Sequence, residues 1–144
     1  MQFQRFSDGV VAVRLESGER VAETLLRLLR AEGIGYAVVS GLGAVSQARL
    51  SYWNSQSRQY EAHELKEQLE VVSLIGNVTL RDAEPFLHLH VALGRQDLSV
   101  LGGHFNDAVA HPTLEIWLQP GNEPVRRVPD ATSGLALMEL TERG

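Results

Sequence analysis

The chain has 144 residues and is expected to fold as a single domain, 1–144, burying roughly 68–70% of the surface its unfolded form exposes. Hydrophobic residues make up 44% and charged residues 22%, and there is no cysteine, which excludes a disulfide framework, thiolate-bound zinc and thiol catalysis. A net charge of -5, with Arg126-Arg127 as the one cationic pair, disfavours autonomous tight binding of nucleic acid. No apolar run approaches the roughly 20 residues of a membrane span, and the start, MQFQRFSDG, lacks a secretory pattern. A cytoplasmic protein without membrane association is therefore expected.

Gly9 to Leu15 is rich in β-branched residues and reads as a first strand. Ser17 or Gly18 can cap a helix beginning just after them. From Glu19 to Glu32, Val21, Leu25, Leu28 and Leu29 form the stripe of an amphipathic helix, with Arg20, Glu23, Arg27 and Arg30 on the wet face. Gly33 stands where a C-terminal cap belongs.

Ile34 to Ser40 reads as a second strand, ending at Gly41-Leu42-Gly43-Ala44. A dinucleotide-binding turn would need a third glycine and a following helix, and Val45 to Trp53 alternates like a strand instead. A glycine-rich bend or bulge between strands is the better account. Asn54 to Arg58 is a polar turn that brings Trp53 and Tyr60 into one hairpin. Glu61 to Glu70 fits strand or loop, and Val71 to Val78, with Asn77 near its end, is a strand.

The chemically richest stretch is Pro85 to Glu115. His88 and His90 are spaced i, i+2, so an extended strand points both imidazoles to one face and Leu87, Leu89, Val91 and Leu93 to the other. Gly102 and Gly103 then allow a sharp bend or a close backbone approach before His104. Thr113 to Leu118 alternates again. Gln119 to Ser133, with three prolines, reads as a loop, and Gly134 to Leu140 closes the sheet. One helix among many strands gives an α+β fold with a mostly antiparallel sheet.

Two histidines on one strand face and a third from a neighbouring segment can assemble a metal site with a fourth position open to water. Zinc suits three imidazoles, as do nickel, copper and iron. His63 and His111 lie in polar surroundings and read as surface residues. Glu115, sharing a predicted face with Thr113 and Trp117, is a candidate proton acceptor or partner of the site, and Thr113 and Asn77 are candidate lining residues. A metal with an open position can lower the pKa of bound water to roughly 7, so a metal-dependent hydrolase or lyase acting on a small molecule is one reading.

GLGA at 41–44, SLIGNV at 73–78, HLHVALG at 88–94, GGH at 102–104 and TLE at 113–115 resemble, in order, the plants-and-prokaryotes-conserved (PPC) domain across about residues 8–140. The resemblance implies a mainly antiparallel sheet with a helix packed on it, assembled as a homotrimer. It also implies zinc held by His88, His90 and His104. Plant relatives join this domain to an AT-hook that binds A·T-rich DNA. No hook is expected here, because the chain begins only a few residues before its first strand. At the place of the plant recruitment segment Gly-Arg-Phe-Glu-Ile-Leu this chain has Glu67-Gln68-Leu69-Glu70-Val71-Val72. Prokaryotic members carry a DNA-binding label by analogy with that architecture. Three readings thus stand: a trimeric metal-binding protein, a DNA-associated regulator, and a metal-dependent enzyme.

Overall fold

The computed structural model describes residues 1–140; residues 141–144 lie outside the described residues. The elements run β1 (Gln2–Arg5), β2 (Val11–Glu16), α1 (Val21–Ala31), β3 (Ala37–Asn54), β4 (Gln59–Leu65), β5 (Leu69–Arg81), β6 (Glu84–Gly94), β7 (Val100–Pro120), β8 (Arg126–Pro129) and β9 (Ala136–Glu139). The pairing is antiparallel throughout except for one parallel contact, Leu80 with Arg126, between β5 and β8. No described helix is long and apolar enough to cross a membrane.

Four strands close a ring of pairings. β3 pairs β5, β5 pairs β6, β6 pairs β7, and β7 returns to β3. The sheet is thus rolled, with the alternating Val, Leu and Ile positions turned to one side. Val11, Val13, Leu15, Leu74, Leu89, Leu93, Leu114, Ile116 and Leu118 are buried there, together with Val21, Leu25, Leu28 and Leu29 of α1. The helix lies against β6 and β7. Each fully buried aliphatic side chain contributes roughly 1.5–3 kcal/mol of transfer free energy, so the apolar face of β6 holds the strand that carries His88 and His90.

The helix begins with the first residue of its apolar stripe, Val21, and not at Glu19. Arg20, not Ser17 or Gly18, is the N-cap, and it makes no side-chain cap. The acceptor comes from another element: Asp107 of β7 takes the Ala22 N–H at 3.0 Å and pairs with Arg20. At the other end, the Ile34 N–H reaches the Leu29 carbonyl at 2.9 Å across Gly33, as expected of a glycine cap.

The glycine-rich bulge expected at 41–44 is present as register shifts at Gly41/Gly43 and Gly43/Val45, but it lies within one strand, β3, and not between two. Gly102-Gly103 is not a bend but the interior of β7, a 21-residue strand. Its glycines serve close approach: a Cβ on Gly102 would stand 2.6 Å from the Val91 carbonyl oxygen of β6. The expected loop at 119–133 also contains a strand, β8, while β9 pairs β8 alone at the sheet's margin. β8 is short and ends in Pro129, which leaves too little alternation to be recognised from sequence, whereas β9 lies within the 134–140 stretch expected to close the sheet.

Gly102→Ala is expected to lower stability by on the order of 1–3 kcal/mol, the usual cost of forcing extra volume into packed backbone. Chemical denaturation checks this, and an unchanged midpoint would show that β6 and β7 do not depend on their close contact.

Candidate metal centre

His88 and His90 project from the same face of β6, and Leu89 between them is fully buried on the other. His104 of β7 is the direct cross-strand partner of His90, a position that sets Cβ atoms about 4.5–5.5 Å apart. The three rings form a nearly equilateral triangle, with centroids 5.5 Å (His88–His90), 5.4 Å (His88–His104) and 5.4 Å (His90–His104) apart. One nitrogen from each lies within 4.8 Å of the others. The β5 strand supports this arrangement at Gly76, which has φ +156° and where a Cβ would fall 2.0 Å from the His88 carbonyl oxygen. Only glycine leaves room for β6 there.

Around the triangle stand residues from three other elements. Tyr60 of β4 lies over His104, ring to ring at 4.9 Å, and Trp53 packs against Tyr60 at 4.9 Å. Asn77 of β5 is the cross-strand partner of His88. The Arg127 side chain of β8 reaches in and is fixed by four contacts. Its Nε donates to Thr79 Oγ1 at 2.9 Å and its NH1 to the Ala136 carbonyl at 2.9 Å; its NH2 donates to Asn77 Oδ1 at 3.2 Å and to His88 Nδ1 at 3.0 Å. A guanidinium can only donate, so His88 Nδ1 accepts and the proton of the neutral ring sits on Nε2. Phe86 lies beneath the guanidinium, its centroid 5.3 Å from Arg127 and 4.4 Å from Arg81.

The surroundings disfavour protonated imidazoles. Burial, followed by the nearby charge of Arg127 and the other two histidines, pushes the His88 pKa down from 6.5 to about 4. Burial also lowers His104, helped by His90 and Arg127. At neutral pH both therefore present lone pairs, the form a metal requires. His104 Nδ1 is buried and has no hydrogen-bond partner among the described residues. An unpartnered buried polar atom costs about 1–3 kcal/mol, and a cation bound at this nitrogen would relieve that cost. The donor set fits: zinc takes imidazole nitrogens at about 2.0–2.1 Å, which in a tetrahedral shell sets nitrogens roughly 3.3 Å apart.

Of the other residues singled out in the sequence, only Asn77 reaches the cluster. Thr113 donates to the Leu15 carbonyl at 2.9 Å and ties β7 to β2. Glu115 does share the exposed face of the histidines, since the register links Trp117 to Ser40, Ser40 to Ile75 and Ile75 to His90. Strands β3 and β5 nevertheless stand between them, each adding about 4.8 Å, so Glu115 makes no contact that would let it serve the cluster as a proton acceptor. His63 is exposed on β4, and His111 Nδ1 meets Ser17 Oγ at 2.7 Å. The sequence reading missed Arg127, Tyr60 as a lid over His104, and Thr79. Phe86, two residues before His88, lies on the histidine face of the strand as alternation requires; Arg127 had no such signal, being hidden in a stretch read as loop.

The known proteins agree with this architecture. The model of the Plants and Prokaryotes Conserved (PCC) domain matches residues 4–121. No curated protein matches the sequence. Among solved structures, a metal-containing protein of Archaeoglobus fulgidus is 33% identical, with a TM-score of 0.86 over 96% of this chain and 97% of that one. A plant- and prokaryote-conserved protein of Pyrococcus horikoshii is 30% identical, with a TM-score of 0.85 over 99% and 97%. A protein of Bacteroides thetaiotaomicron, provisionally named a DNA-binding protein, shares the fold at 24% identity, with a TM-score of 0.92 over 96% of each chain. With its ordered motifs, its rolled antiparallel sheet and a family match over most of its length, the chain belongs to the Plants and Prokaryotes Conserved domain family.

Proposed function

We propose that the protein binds one divalent metal ion per chain, zinc by first choice, through His88, His90 and His104, and that it works as a homotrimer. The observation that carries the metal reading is the equilateral triangle of imidazoles with one buried, unpartnered nitrogen. The metal-containing character of the Archaeoglobus relative supports it. Three protein nitrogens leave a coordination position free, so a bound metal would supply Lewis acidity toward a water or an incoming ligand. The chain's own contribution is to hold His88 and His104 neutral and all three rings oriented, with Tyr60 shielding His104 and Arg127 and Asn77 bordering His88.

Association is supported by the surface beside the histidines. Val38, Leu42, Ile75 and Trp117 are exposed large side chains on one sheet face, continuous through the strand register with His90 and His88. Contiguous exposed apolar surface of this kind marks contact regions. Direct DNA contact has less support. The net charge is -5, and Arg5, Arg14, Arg20, Arg30, Arg49 and Arg95 are each paired with a carboxylate, which weakens their attraction to phosphates.

Protein purified without an affinity tag and away from chelators is expected to hold close to one metal per chain by elemental analysis. His104→Ala is expected to weaken zinc by more than the roughly 10–100-fold lost when an outer partner of a ligand is removed. Wild-type protein that stays metal-free after zinc dialysis overturns the reading.

The metal-free protein is expected to lose stability in acid in a defined window. The His88 pKa is lower folded than unfolded, so the unfolded chain takes up a proton first. Stability is full above about 6.5, the unfolded value, and falls until about pH 4, where the folded ring protonates too. Denaturant midpoints between pH 7 and 4 measure this; His88→Asn flattens the profile, and an equally steep profile in that variant would assign the loss elsewhere.

Light scattering is expected to give three times the 15.9 kDa chain mass. The double variant Val38→Glu with Leu42→Glu is expected to run as a folded monomer. A variant that stays trimeric would place the contact on another face.

A further inference from the structure

Arg127 poses a problem that the metal reading alone leaves unsolved. Placing a divalent cation in the histidine triangle puts it beside a fixed guanidinium, and like charges at that range repel. A second guanidinium, Arg81, shares the Phe86 ring with Arg127. Among the described residues neither arginine forms an ion pair with a carboxylate. A cluster with this much positive charge and no ion-paired carboxylate among the described residues suits an anion supplied from outside.

The hydrogen bonds point the same way. His88 Nδ1 accepts from Arg127 NH2 at 3.0 Å, and it cannot continue to do so once the ring binds a metal. Ligation through Nδ1 uses the lone pair that Arg127 holds; ligation through Nε2 moves the ring proton onto Nδ1 and turns that atom into a donor. Either way an NH2 hydrogen loses its acceptor. NH1, which meets only the Ala136 carbonyl at 2.9 Å, has a second hydrogen with no acceptor among the described residues. Arg127 stays in place through Thr79, Ala136 and Asn77, so metal binding frees donors on a guanidinium that is already positioned.

We propose that the site takes a small carboxylate, held between a metal on His88, His90 and His104 and the guanidinium of Arg127. One oxygen occupies the coordination position the histidines leave open, and the other accepts from Arg127. Tyr60 over His104 and Phe86 beneath Arg127 give the site aromatic walls that suit a compact planar group. The proposal rests on the metal reading and adds the ligand class to it.

Cobalt(II) provides a test that reads binding rather than turnover, because its visible spectrum changes when an anion enters the coordination shell. The full chain is loaded with cobalt and titrated with acetate, and in parallel with inorganic phosphate; circular dichroism confirms the fold of each variant. Acetate is expected to shift the wild-type spectrum. In Arg127→Gln its affinity is expected to fall roughly ten- to hundredfold, the worth of one charge-assisted pair, while cobalt is held at least as tightly. Arg127→Lys, which keeps the charge but not the fork, is expected to fall between the two and carries the test if Arg127→Gln unfolds. Acetate binding that is equal in wild type and variants overturns the proposal, as does a cobalt-loaded wild type indifferent to acetate. Phosphate binding more tightly than acetate overturns the choice of carboxylate. Failure to take up cobalt at all is a different result, which removes the metal reading and this inference with it.

Discussion

The site depends on how closely β6 and β7 approach each other. His104 can meet His90 only because the backbone of β7 runs tight against that of β6, and Gly102 has no side chain to hold the Val91 carbonyl away. Gly76 does the same on the other edge of β6, where β5 presses on the His88 carbonyl. The histidine strand is thus clamped from both sides by glycines. The imidazoles gain fixed positions because the backbones around them have almost no freedom to separate.

The apolar side of the same strand supplies the anchoring. Leu89, Val91 and Leu93 enter the core under α1, and a pleated strand cannot bury those three without turning His88, His90 and Ala92 outward. Burial energy and ligand geometry are therefore coupled through alternation: a slip of one residue in the register of β6 would lose both together. The half-buried setting then keeps His88 and His104 neutral at ordinary pH. The environment prepares the lone pairs that a metal needs, at the expense of acid stability.

Arg127 gives this site a character that three histidines alone would not have. A cation held by Thr79, Asn77 and Ala136 beside a would-be metal is costly unless something negative joins it. Its hydrogen bond to His88 means that a metal on that ring must either take the nitrogen Arg127 holds or move the ring proton onto it. Residues from β5, β6, β7, β8 and the β9 backbone thus act on one point, although β8 and β9 are short and marginal to the core.

The alternation of HLHVALG determined, by sequence alone, that His88 and His90 share a face and that Leu89 and Val91 oppose it, because side-chain period in a strand is a local property. The stripe Val21, Leu25, Leu28, Leu29 determined a helix for the same reason, and the ordered motifs pointed to the family. Whether His104 joins the pair was not local: it needed the register of β6 on β7, set by backbone proximity that the double glycine allows but does not spell out. Glu115 shows the converse, a residue on the right face that two intervening strands keep away from the cluster. Arg127 lay in a proline-bearing stretch without periodicity, and only its pairing beside β5 brought it to His88. Local pattern settles which way a side chain faces; which other side chains it meets is decided by contacts between strands far apart in the chain.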